Sequence, residues 1–172
     1  MEKCIPIYSL GDMVVHLSYG VGQIEGVDRK SLNGVEVECF KVKTENAVYW
    51  FPTECTDNPR VHPVVSRELV QKAIEILRST PHDQENDPLQ WNERIDKVLK
   101  DGDLLAISRI VRDLSALKKN KKLSRTLDQA LNNLKGRLLR DWAASLEVDV
   151  SSIQPRLRSY LQESSTNSQN AV

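Results

Sequence analysis

The feature that most constrains this chain is a change of hydrophobic period near residue 60. Ahead of it, short β-type runs alternate with glycine turns: 13–17 (MVVHL), 21–27 (VGQIEGV), 35–42 (VEVECFKV) and 47–51 (AVYWF). In the third run Val35, Val37 and Cys39 fall on one face and Glu36 and Glu38 on the other, the period of two that a half-buried strand requires. Tyr19-Gly20 separates the first pair of strands. Asn33-Gly34 separates the next and is the dipeptide best suited to a two-residue hairpin. Four or five such strands in fewer than 60 residues cannot build two large sheets, so the expectation is a small, strongly bent Tudor/SH3-like β-barrel.

Residues 57–66 carry two prolines and no periodicity, and read as a linker. They divide the chain into a domain over 1–59 and a second over 60–172. Beyond them the period is helical. Ser66 caps a helix to about Arg78, and Asp87-Pro88 supplies an N-cap with proline in the first turn of a helix to about Lys100. Asp101-Gly102-Asp103 ends that helix and caps the next, whose stripe is Leu104, Ile107, Ile110, Val111, Leu114 and Leu117. KKNKK then reads as a connection. Ser124 opens a long helix with Leu127, Leu131, Leu134, Leu138 and Trp142 on one side. A last short helix over about 152–162, with Pro155 in its first turn, leaves a polar tail expected to fray from about residue 163. The fold class is therefore α+β, a β-barrel followed by an all-α domain of about five helices.

Lys and Arg number 24 and so do Asp and Glu, so net charge implies nothing about partners. Its distribution does. From Lys118 to Arg140 there are eight cations, Lys118, Lys119, Lys121, Lys122, Arg125, Lys135, Arg137 and Arg140, against Asp128 alone. Such a run is usually a solvated face. A face that is merely soluble mixes both signs, however, and the lack of acids here suits a surface that meets phosphates.

Other chemistries are poorly served. Gly20-Val21-Gly22 lacks a third glycine and leads into a strand, whereas a phosphate loop needs a helix N-terminus; these read as turn glycines. His16, His62 and His82 are scattered, with no nucleophile elbow, metal-binding helix or carboxylate pair, so no catalytic residue, metal or cofactor is expected. Cys4, Cys39 and Cys55 have neither disulfide nor zinc spacing, which points to free thiols in a reducing cytoplasm. The N-terminus lacks the apolar region of a signal peptide, and no apolar run approaches the roughly 18–20 residues that span a bilayer.

Two aromatic sites carry alternatives that spacing leaves open. Trp91 shares a side with Ile95 and Val98, which fits a core position. It also stands at a helix start beside Arg94, Lys97 and Lys100, which fits an exposed wedge for the minor groove. Tyr49-Trp50-Phe51, closed by Pro52, either fills a barrel end or turns one or two rings outward at a sheet edge open to a partner strand.

The segments GDMVVHLSYGVGQIEGV, NGVEVECFKV and AVYWFPTE resemble the RNA polymerase-interacting domain of the CarD family of bacterial transcription regulators, a domain shared with transcription-repair coupling factors. DPLQWNER and DGDLLAISRIVRDLSALKKNKKLSRTLDQALNNLKGRLL are similar to that family's helical DNA-binding domain. The resemblance covers roughly residues 9–148 and includes no helicase module. It implies a non-enzymatic regulator, monomeric and cytoplasmic, held at the nucleoid by RNA polymerase. Its barrel would dock on the polymerase β subunit and its helices would meet promoter DNA near the -10 region, where a tryptophan wedge keeps the bubble open. By matching position Trp91 is that wedge. Arg94, Lys97, Lys118, Lys119, Lys121, Lys122 and Arg125 are then the DNA contacts, and Arg29, Lys30, Tyr49 and Trp50 the polymerase contacts. Trp50 departs from the arginine often found near its position, so an aromatic edge contact takes the place of a charged one. A protein–protein adaptor that never touches DNA is the competing expectation.

Overall fold

A computed structural model of the chain describes residues 8–16, 18–54, 60–81 and 88–169, the side chains of Pro88 and 165–169 excepted. Asp87 as an N-cap, His82 and the thiols of Cys4 and Cys55 lie outside the described residues. The chain divides into two compact units, with the boundary between Val64 and Val65.

The first unit is a five-stranded antiparallel sheet: β1 (Met13–His16), β2 (Gly20–Leu32), β3 (Val35–Thr44), β4 (Val48–Pro52) and β5 (Val61–Pro63), in the order β4-β3-β2-β1-β5. The Tudor-like β unit expected from the sequence is present, and among the described residues no ladder joins β4 to β5, so its sheet is open. β5 falls in the stretch read as a linker. Three residues are too few to show a period, and pairing with β1 makes them a strand. Asn33 (φ 53) and Gly34 (φ 82) turn β2 into β3 with both residues in the left-handed region, as the shortest hairpins require.

Val14, Ile24, Phe40, Val42, Tyr49, Phe51 and Val61 form the core, with Tyr8 edge-on to Phe51 at 5.5 Å. Gly22 belongs to that packing instead of a turn. A Cβ there would stand 2.6 Å from Val42 Cγ1 and 2.9 Å from the Lys43 carbonyl, so only glycine lets β2 approach β3 this closely. The expected inward face of Val35, Val37 and Cys39 is realised only at one end, since Cys39 is 2% exposed and Val37 half-buried but Val35 is 63% exposed. β1 pairs with β2 only as far as Gln23, and β4 pairs with β3 only from Cys39 onward. Residues 27–38 are thus a two-stranded ribbon, and at its outer end, among the described residues, Leu32 and the cross-strand Val35 stay exposed.

The second unit holds α1 (Arg67–Arg78), α2 (Pro88–Asp101), α3 (Leu104–Asn120), α4 (Arg125–Leu146) and α5 (Val150–Gln169). Ser66, Asp103 and Ser124 cap α1, α3 and α4 by accepting from the amides of Leu69, Leu105 and Leu127, which satisfies donors that a helix start otherwise leaves bare. Both long stripes sit in one core, Leu104, Ile107, Ile110, Val111 and Leu114 from α3 and Leu127, Leu131, Leu134, Leu138 and Trp142 from α4.

α5 is longer than its polar sequence suggests, and it is docked as far as Ser164. Ser164 is 1% exposed and its hydroxyl donates to the Ser79 carbonyl at 2.7 Å. Arg78 Nε donates to Glu163 at 2.8 Å while its guanidinium lies 5.5 Å from the Tyr160 ring, which stacks on Trp142. Beneath them Arg112 and Asp113, both buried, pair at 2.7 Å, and Arg112 Nη1 donates to Ser79 Oγ at 2.6 Å. One polar cluster therefore ties the end of α1 to α3 and α5.

Candidate functional site

In the sheet unit, residues twenty positions apart meet. Lys30 on β2 places its ammonium 4.0 Å from the centre of the Trp50 ring on β4, and Trp50 Nε1 donates to Asp28 at 2.9 Å. The two strands flank β3, so the contact reaches across the middle strand of a three-stranded patch. Lys30 lies within β2, opposite Val37. Trp50 is 39% exposed, with its indole held flat by a cation on one face and a carboxylate at its edge. An exposed cation–π contact stabilises by about 0.5–1 kcal/mol, and together with the hydrogen bond to Asp28 it orients the ring. Arg29 pairs instead with the cross-strand Glu38 at 3.7 Å, both side chains well exposed.

Tyr49 does not join this platform. The alternation of β4 turns it inward between His16 and Phe51, where it is 7% exposed and stacks on Tyr19 at 5.3 Å. Burial pushes its hydroxyl up to about 12, with Tyr8 adding to the shift. Of the three aromatics in β4, only Trp50 faces outward; Tyr49 is corrected from partner contact to core. β4 is also a sheet edge, with its outer ladder unpaired among the described residues.

In the helical unit, Trp91 is 1% exposed and belongs to the main core with Ile95 and Val98. The expectation of a ring standing in the open is overturned. Positions 91, 95 and 98 fall on one face of α2, and that face is the buried one. Arg94 closes over it, its guanidinium 4.5 Å from the ring centre. The apolar side chain that the first turn of α2 exposes is Leu89, at 72%. Arg94 and Lys97 line a groove of about 400 Å³ together with Arg109, Asp101 and Asp103. Arg109, on α3, carried no sequence signal beyond being a charge on a polar face.

The basic run divides. Lys118, Lys121, Lys122 and Arg125 surround a second groove, of about 430 Å³, at the turn from α3 to α4. Lys118 is bonded to Asp128, and Lys119 Nζ donates to the Leu161 carbonyl at 3.3 Å. Arg137 turns inward, 4.0 Å from Asp141. The helix dipole accounts for Lys118 and Lys119, which end α3, but it disfavours Arg125 at the start of α4. The 17 residues of α3 rise about 25 Å, so the Arg94 group and the Lys121 group sit toward opposite ends of that helix.

Among the described residues no cluster of His, Cys, Asp and Glu could hold a metal ion, and no helix is long and apolar enough to cross a membrane.

Comparison with known proteins follows the same two-part division. Residues 8–65 match the model of the CarD-like/TRCF RID domain, and residues 72–158, just over half of the chain, match that of the CarD C-terminal domain. A protein of Bacillus subtilis (strain 168) named YdeB, described there as a candidate transcription factor, is 23% identical over 160 residues, which cover 90% of this chain and 99% of that protein. A RID-type sheet followed in order by the CarD helical domain, with a relative that spans both, makes this chain a member of the CarD family of transcription factors.

Proposed function

We propose that the protein docks on the β subunit of RNA polymerase through the Lys30–Trp50–Asp28 platform and the adjoining open edge of β4, and steadies the promoter open complex near the -10 region through cations of its helical unit. The observation that carries this reading is the Trp50 ring, exposed yet fixed by Lys30 and Asp28 at an unpaired sheet edge. An incoming strand would find main-chain partners along β4 and a rigid aromatic beside them. Anchors of this kind concentrate the energy of an interface, because a large ring ordered in advance loses little entropy on binding.

DNA contact is then made by Arg94 and Lys97 at one end of α3 and by Lys118, Lys119, Lys121, Lys122 and Arg125 at the other. Arg125 supports this, since helix stability alone would not select a cation at that position. Phosphate contacts of this sort are sequence-tolerant and weaken with salt. Weak intrinsic affinity suffices when polymerase supplies the tether. Trp91 serves from inside, holding α2 and, through its ring, the guanidinium of Arg94.

Trp50→Glu is expected to weaken binding to the isolated β-subunit lobe by about 2 kcal/mol, roughly thirtyfold, while naked-duplex binding stays unchanged. Lys121→Glu with Lys122→Glu should do the reverse and flatten the salt dependence by roughly 0.9 per lost phosphate contact. If each variant damages both activities, the division of labour is wrong. The burial of Trp91 favours a second reading, an adaptor of RNA polymerase whose helices never meet DNA. Under it the wild-type protein shows no salt-sensitive duplex binding at all.

A further inference from the structure

The cationic character of the helical unit continues past Arg140 into α5. Between α4 and α5 lies a groove of about 360 Å³ with Lys135 and Gly136 on one wall, Gln154 and Arg158 on the other, and leucines along its floor. We propose that this groove is an anion site that takes a phosphate group, with Lys135 and Arg158 as its two charged contacts.

Its lining separates it from the other two grooves. The first has Asp101 and Asp103 among its cations and the second has Asp128, whereas no acid lines this one. Leu139, Leu157 and Leu161 are at most 8% exposed, so the floor is part of the core and the groove is fixed by helix packing. Lys135 is half-buried among like charges. Burial first, then Lys118, holds its pKa below the ordinary lysine value, Arg158 and Lys119 act in the same sense, and only Asp128 opposes them. That aspartate is already bonded to Lys118. An anion in the groove would relieve both the desolvation and the repulsion.

Gly136, which lines the groove, leaves room for a cation beside it. With no side chain there, the Arg140 guanidinium occupies the space, Nη1 standing 3.4 Å from where a Cβ would be. Arg140 Nε is buried with no hydrogen-bond partner among the described residues. Arginine suits a phosphate's oxygens as a planar fork and lysine as a point charge, so the pair matches a tetrahedral dianion. The phosphate can belong to a nucleic-acid backbone or to a free phosphate-bearing molecule. The site itself does not depend on the DNA reading given above.

The test uses the full chain with inorganic pyrophosphate as the probe, followed through the side-chain NMR signals of Lys135 and Arg158. Saturable binding is expected, with the Lys135 pKa rising as the site fills. Lys135→Gln and Arg158→Gln should each weaken binding by about tenfold. Arg158 is exposed, so its variant folds normally, and thermal unfolding verifies this for both. If a short DNA duplex displaces the pyrophosphate, the backbone is the natural source; if the duplex leaves it bound, the natural ligand is a free phosphate compound. Absence of saturable binding, or binding that both substitutions leave unchanged, overturns the proposal.

Discussion

Trp91→Ala is expected to lower the unfolding free energy of the helical unit by about 3–5 kcal/mol, the range for deleting a large aromatic from a packed core. The ring is 1% exposed and joins α2 to the main cluster together with Ile95 and Val98. Its removal leaves a cavity that α2 has few other side chains to fill, and it frees the guanidinium of Arg94 from the surface it covers. Urea unfolding should show the loss. Hydrogen exchange should show it first in α2, where amide protection collapses before that of α3 or α4. An exposed tryptophan would behave differently, since truncating a surface side chain usually changes stability by no more than about 0.5 kcal/mol. Loss of promoter activity in this variant is therefore not by itself a sign of DNA contact, and has to be read beside its stability.

The second large effect is expected from Asp113→Ala. Arg112 and Asp113 are 4% and 2% exposed and pair at 2.7 Å, so the substitution strands a guanidinium away from water. Breaking such a pair costs about 3–5 kcal/mol, mostly the penalty of the charge left behind. Arg112 also donates to Ser79, which receives the Ser164 hydroxyl at its carbonyl, so the end of α5 should loosen with it. Replacing both charges by apolar residues, Arg112→Met with Asp113→Leu, should recover most of the loss, because no unpaired charge then remains. The difference between single and double variants measures the pair. Calorimetry on the three proteins checks both statements, and equal destabilisation in the single and the double variant would contradict the charge explanation.

The long-period features of this fold were legible in the sequence. Leu127 through Trp142 keep helical spacing over four turns, and all of them are buried. Ser66, Asp103 and Ser124 are caps because their side chains can reach the amides two or three residues ahead, a local matter that needs no tertiary knowledge. Asn33-Gly34 behaves the same way. Features that depend on a partner elsewhere in the chain were hidden. Val61–Pro63 is a strand only because β1 lies beside it, and Glu163 and Ser164 of the polar part of α5 are held by Arg78 and Ser79 at the end of α1. Val35 alternates correctly but stays exposed at the outer end of the β2–β3 ribbon.

The same division applies to the functional surfaces. Lys30 and Trp50 could each be singled out in the sequence, yet their contact is a cross-strand event set by register. Trp91 shows the limit of periodicity most clearly. Its spacing to Ile95 and Val98 fits a core position, its cationic neighbours fit a wedge, and only packing decides between them. Arg158 escaped notice because Lys135, which shares its groove, belongs to a different helix.

Whether Trp91 stays in the core when DNA is bound is settled most directly by fluorine NMR of the protein labelled with fluorotryptophan, with the three resonances assigned by single Trp→Phe variants. A forked duplex that mimics the upstream edge of a bubble is added until binding saturates. The expected result is a Trp91 resonance that keeps its position and remains insensitive to exchange of H2O for D2O throughout. A Trp91 resonance that shifts in step with DNA binding and becomes solvent-sensitive would mean that α2 opens and the ring leaves the core, and would contradict the assignment of DNA contact to the cations alone.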